Sequence, residues 1–299
     1  MAETPRKVSD EPSGRPAKRL WRSSGHGRVA SSGLPSGGVF NRCAANCKRL
    51  LAAGAALLAL SAHAGKITVA AAADLKFALD EIVTTFRKTH PSDRVDVIYG
   101  SSGKFHTQIQ QGAPFDLFFS ADIAFPRALA KAGFAASEVV PFAVGRIVLW
   151  SAHLDATKLT LASLADPKIT RIAIANPKHA PYGKRAEEAL RASGLWGHVE
   201  PKLVYGENIA HTAQFVQTGN AQVGVIALAL ALSPELARKG GYWLIPDRLH
   251  APLEQGFIIT RRAADNALAR RFADAMGSAA SRAVMTRYGF VLPGEAAGR

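Results

Sequence analysis

Arg94-Val95-Asp96-Val97-Ile98-Tyr99 runs directly into Gly100-Ser101-Ser102-Gly103-Lys104, and that junction decides how the chain folds. The first segment is rich in β-branched and aromatic residues and reads as a strand. The segment after it, Phe105 to Gln111, reads as a short helix closed by Gly112. A strand that ends in Gly-Ser-Ser-Gly and opens a helix leaves several backbone N–H groups without intrahelical partners. Those donors, the positive end of the helix and two serine hydroxyls converge on one spot, which attracts an anion. A P-loop is excluded, because only two residues separate Gly100 from Gly103 and Phe105 follows Lys104. A nucleophile elbow is excluded as well, since neither serine has Gly-x-Ser-x-Gly spacing. Alone, the turn reads as an ordinary serine helix cap. A binding site requires partner loops.

The chain on either side repeats the design. Lys66 to Ala73 reads as a buried strand followed by a helix with Asp74 at its N-cap. Leu75, Leu79, Ile82, Val83 and Phe86 fall on one face of that helix. Downstream, Leu117 to Phe119 is a third strand, and Ser120 or Asp122 caps a helix running toward Lys131. Asp116 and Asp122 lack the His or Glu neighbours of a metal site and are assigned to capping and turns. Pro141 to Trp150 is extended and apolar, a strand that crosses between lobes. Arg171 to Ala175 is a strand ending in Asn176-Pro177-Lys178-His179-Ala180-Pro181-Tyr182-Gly183, with a helix over Lys184 to Ser193. Leu203 to Tyr205 is another, ending at Gly206-Glu207-Asn208, with Asn208 the N-cap of a helix over Ile209 to Thr218. Val223 to Ala227, Trp243 to Ile245 and Gly256 to Thr260 add strands, the last returning the chain to the first lobe. Ala267 to Met276 and Ser278 to Tyr288 close it with helices. The alternation predicts the α/β class, with two doubly wound α/β lobes and a ligand cleft between their strand ends. Lobe I takes residues 66–143 plus 251–299 and lobe II residues 144–250, with hinge closure around the ligand.

Composition narrows the function classes. The 299 residues are 48% hydrophobic, enough for one or two sizeable cores. The net charge of +14 is unevenly held, since residues 1–64 carry ten Lys and Arg against three Asp and Glu. The remainder is mildly basic, which helps to draw in an anion, and no nucleic-acid-binding signature accompanies it. Cys43 and Cys47 both lie upstream of residue 65, so disulfides, thiol catalysis and Cys-ligated zinc are not expected in the body of the protein.

Lys48-Arg49, the apolar run Leu50 to Leu60 and Ala62-His63-Ala64 are the three regions of a secretory signal peptide, assigned to 48–64. Cleavage after Ala64 leaves Gly65-Lys66-Ile67 as the new start. Residues 1–47 read as a disordered leader, and the Gly-, Ser-, Pro- and Arg-rich stretch 1–38 places the translation start near Val39.

Taken in order, Ala71-Ala72-Ala73-Asp74-Leu75, Gly100-Ser101-Ser102-Gly103 and Gly112-Ala113-Pro114-Phe115-Asp116-Leu117-Phe118-Phe119-Ser120-Ala121-Asp122 form a pattern. Ala175-Asn176-Pro177, Ala180-Pro181-Tyr182-Gly183, Gly206-Glu207-Asn208-Ile209 and Arg287-Tyr288-Gly289-Phe290 continue it. The ordered set resembles the periplasmic molybdate-binding proteins of bacterial molybdate ABC importers. The resemblance implies a type II periplasmic binding protein fold that binds one molybdate or tungstate between its lobes, with no cofactor. It also implies a monomer in the periplasm that serves an inner-membrane ABC permease and is not an enzyme. Carried over, the oxyanion-binding residues are Ala73, Asp74, Ser102, Tyr182 and Ile209, and no residue is catalytic. This chain departs from the family pattern twice. Asp74 stands where many members have serine, and Ala227 where many have a ligand-binding tyrosine. Asp74 is expected either to turn away and cap its own helix, the preferred reading, or to bind as a protonated donor, and Tyr182 is expected to compensate through its backbone or hydroxyl.

The physics of recognition is compact. Molybdate or tungstate at neutral pH only accepts hydrogen bonds, so neutral hydroxyls and N–H groups satisfy it, whereas hydrogenphosphate brings a donor with no waiting acceptor. Sulfate or another tetrahedral oxyanion is the alternative ligand, rejected only by cavity size. A hydrolase triad of Ser102 with His106, His179 or His211 and Asp74 is the competing enzymatic reading. A sensor domain of a transcription regulator is the third, disfavoured by the export signal.

Overall fold

The computed structural model describes residues 65–294. The leader, the signal peptide, both cysteines and residues 295–299 of the expected lobe I lie outside the described residues. Ten strands run in chain order as β1 (Lys66–Ala72), β2 (Arg94–Gly100), β3 (Leu117–Ser120), β4 (Val140–Gly145), β5 (Ile147–Ser151), β6 (Ile172–Ala175), β7 (Leu203–Gly206), β8 (Val223–Ala227), β9 (Gly241–Leu244) and β10 (Leu253–Ile259). They form two five-stranded sheets, of order β2-β1-β3-β10-β4 and β7-β6-β8-β5-β9. In the first, β1 lies parallel to β2 and β3, and β10 runs antiparallel to β3 and β4. In the second, β6 is parallel to β7 and β8, and β5 is antiparallel to β8 and β9. Each sheet is therefore mixed. The antiparallel strand in each is the one that has just arrived from the other sheet.

The helices are α1 (Lys76–Thr89), α2 (Ser102–Gln110), α3 (Ala124–Lys131), α4 (Pro181–Ala192), α5 (Trp196–Val199), α6 (Ile209–Gln217), α7 (Leu228–Ala231), α8 (Pro234–Ala237), α9 (Ala267–Met276) and α10 (Ala279–Arg287). α1 buries Leu79, Ile82, Val83 and Phe86 against the first sheet, the face its sequence spacing predicts. The short α5, α7 and α8 have no counterpart in the sequence reading, because four residues are too few to display a period.

The stretch Pro141 to Trp150 is two strands rather than one. Val144 and Gly145 still pair with β10, whereas Ile147 already pairs with β8, so the chain changes sheet at Arg146. It returns between Leu244 and Leu253. In both sheets the strand order places the second and third parallel strands on opposite sides of the first. Ligands in such sheets sit outside the carboxyl ends of the strands at that point of reversal. The carboxyl end of β1 leads into Ala73 and Asp74, and that of β6 into the turn before Tyr182.

Candidate functional site

Four strand-to-helix junctions meet where the two sheets face each other. After β1 the chain makes a 3-10 turn, Ala73–Leu75, that runs straight into α1. After β2 it enters α2 at Ser102, with Ser101 in the N-cap position. From the second sheet, α4 opens at Pro181-Tyr182 and α6 at Ile209. The first N–H groups of each helix have no intrahelical acceptor. On α6, Asn208 Oδ1 takes the N–H groups of Ala210 and His211, each at 3.0 Å, and leaves that of Ile209. Asn208 is thus the N-cap its sequence position predicts.

Ala73, Tyr182 and Ile209 share one buried cluster, together with Ala72 and Ala121 from the first sheet and Ala180, Ala227 and Leu228 from the second. Ser102 is fully buried and joins them through Ala121, whose N–H it accepts at 3.0 Å. Neither serine caps α2. Ser101 Oγ lies 3.0 Å from His179 Nδ1, and Ser102 Oγ, engaged as an acceptor, keeps its own O–H to donate.

Asp74 differs from expectation. It does not cap its helix: the N-cap position belongs to Ala72, and Asp74 is the second residue of the turn. Its carboxylate is buried and reaches across to the other lobe. Oδ2 accepts the Tyr182 hydroxyl at 2.9 Å and Gln255 Nε2 at 2.7 Å, while Oδ1 has no partner. Burial pushes this carboxyl up to about 6, with the Gln255 and Tyr182 bonds, and more weakly the backbone N–H groups of Asp74 and Leu75, pulling the other way. Burial and the neighbouring carboxylate together hold the Tyr182 phenol well above its ordinary value, so it stays a neutral donor. A Cβ on Gly145 would come within 2.2 Å of the Tyr182 hydroxyl and 2.8 Å of Gln255 Nε2. The last residue of β4 therefore has to be glycine for the tyrosine to reach Asp74.

Further ties close the cleft around this cluster. Gly103 N–H donates to the His179 carbonyl at 2.9 Å, Lys104 pairs with Glu207, and Arg185 lies 3.6 Å from Asp122. A Cβ on Gly103 would meet that carbonyl at 2.7 Å, so a glycine here lets the two backbones touch. Asp122 accepts the Ala124 N–H just before α3, although Ile123 holds the N-cap position there, and Asp116 accepts the Thr68 N–H. Among the described residues no group of three or more His, Cys, Asp or Glu could hold a metal ion. No described helix is long and apolar enough to cross a membrane. The side chains of the alternative triad are engaged separately: His179 meets Ser101, His211 Nδ1 takes the Glu207 N–H, and Asp74 serves Tyr182 and Gln255.

Gln255 and Gly145 are the residues that sequence reasoning missed. A polar side chain in the apolar run Leu253 to Ile259 was the available signal for the first, and the pairing register shifts beside it, between Gln255 and Gly256.

The family model for bacterial extracellular solute-binding proteins matches residues 67–291. The molybdate-binding protein ModA of Rhodobacter capsulatus is 35% identical over 235 residues, covering 78% of this chain and 91% of its own length. This chain belongs to the molybdate-binding protein family. Its counterpart from Azotobacter vinelandii is 36% identical over 244 residues, covering 81% of this chain and 96% of that protein. In three dimensions, the periplasmic molybdate-binding protein of Azotobacter vinelandii superposes with a TM-score of 0.72 at 30% identity, over 76% of this chain and 99% of that one. Ala227 is fully buried here, and the Tyr182 hydroxyl is spent on Asp74.

Proposed function

We propose that this chain captures molybdate, and tungstate in the same way, in the closed cleft and hands it to the permease of an inner-membrane ABC importer. The anion accepts hydrogen bonds from backbone N–H groups at Ala73, Asp74, Tyr182 and Ile209 and from the Ser102 hydroxyl and N–H. No cofactor takes part, and the cargo is held through its oxygens, with no protein atom bonded to the metal. The observation that carries this reading is the meeting of four helix starts, two from each sheet, at one buried cluster. Helix starts offer partial positive charge and fixed donors without a countercharge, which suits an ion that only accepts. Kinship with molybdate-binding proteins along nearly their whole length supports the role, and the family's extracellular character supports a periplasmic carrier.

Calorimetric titration of the purified chain with molybdate, tungstate, sulfate and phosphate tests it. Molybdate and tungstate are expected to bind tightly and sulfate weakly. Sulfate binding as tightly as molybdate, or molybdate giving no heat, overturns the assignment.

A further inference from the structure

Asp74 is a buried acid where a dianion is to be bound, and its two oxygens are not equivalent. Resting on the reading of the cleft as an oxyanion site, we propose that capture is proton-coupled: Asp74 takes one proton on Oδ1 as the dianion enters and donates that O–H to it. The geometry fixes which oxygen is protonated. Oδ2 already accepts two hydrogen bonds, from Tyr182 and Gln255, whereas Oδ1 is buried without a partner. Protonated in the empty cleft, Oδ1 has a hydrogen and no acceptor; a fully deprotonated tetrahedral anion supplies the acceptor. Left ionised beside that anion, it sets like charges together in a water-poor site. The balance is simple. One proton leaves solvent, one O–H bond forms, and no covalent bond to the anion is made.

Among the described residues no cationic side chain bonds to Asp74. Lys76 and Asp80 on α1 pair with each other, and on α4 Arg185 is held by Asp122 and Glu188. His211 on α6 accepts the Glu207 N–H, Glu254 on β10 is exposed, and α7 carries no titratable side chain. Arg146, next to Gly145, lies 3.5 Å from Asp247. Tyr182 and Gln255 are neutral, and burial already moves Asp74 toward the protonated form. The ionised Oδ1 also corrects the expectation that hydrogenphosphate finds no waiting acceptor: an oxyanion carrying its own hydrogen donates to it and is taken up without a proton from solvent.

Titration of the full chain with sodium molybdate at pH 7.5, in two buffers of different protonation enthalpy, counts the protons. Uptake of about one proton per molybdate is expected, with the dissociation constant weakening about tenfold per pH unit from pH 7 to pH 8. Asp74→Asn, of the same shape, is expected to take up none and to show a flat profile. Molybdate binding without proton uptake by the unmodified chain overturns the coupling and leaves the oxyanion site standing. Uptake that persists in Asp74→Asn overturns the assignment to Asp74. Failure to bind molybdate at any pH from 5 to 8 overturns the molybdate assignment, and the coupling with it.

Discussion

Ser102 and Asp74 sit on neighbouring junctions of the same sheet and do opposite things. Ser102 Oγ accepts one N–H and keeps its own O–H to donate, held in place by Ala121. Ser102→Ala removes one hydrogen bond to a charged acceptor, a loss of about 1.5–3 kcal/mol. Molybdate affinity is expected to fall roughly ten- to hundredfold, read by calorimetry, with the far-UV spectrum unchanged. Asp74 is an acceptor whose burial works against its charge. Its carboxyl is raised from 3.8 to about 6 by folding, so its contribution to stability is full below 3.8 and is lost as pH rises through 6. Relative to Asp74→Asn, the unliganded chain is expected to lose about 2 kcal/mol between pH 4 and pH 8, measured by urea denaturation of both proteins. Equal pH dependence of the two proteins contradicts this.

At the scale of elements, the strand change at Arg146 and the helix starts share one architectural cause. Two strands in different sheets are joined by a single residue, so β4 must end beside the mouth of the cleft. There the absence of a side chain at Gly145 admits the Tyr182 hydroxyl from α4. Gly145→Ala is expected to cost about 1–3 kcal/mol by forcing that hydroxyl off Asp74. Adding Tyr182→Phe to the same chain, which removes the oxygen the new methyl meets, is expected to restore part of the loss in denaturant unfolding. The helices α1, α4 and α6 were legible from the sequence because each shows apolar spacing and a punctuating Gly, Pro or Asn. Their starts were less so: α4 begins at Pro181, three residues before the expected Lys184, because proline at the first helical position needs no N–H acceptor.

For the whole molecule, closure is carried by few and unequal ties. The Lys104–Glu207 pair is about half exposed, and such pairs contribute about 1 kcal/mol or less. Lys104→Ala is therefore expected to weaken molybdate binding no more than about fivefold, and the effect is expected to vanish at high salt, where such a pair is screened. Calorimetry in 0.05 M and 1 M sodium chloride checks both. The Asp74–Tyr182 bond, by contrast, is buried and out of reach of salt. The sequence alone determined the α/β alternation, the apolar faces, the cap at Asn208 and the order of family motifs, because these are set by residues within a few positions of one another. Only the tertiary structure decided that Asp74 serves Tyr182 and Gln255 rather than its own helix. Those partners stand 108 and 181 residues away in the chain, and no local period or spacing records which distant side chain will fill a lone pair.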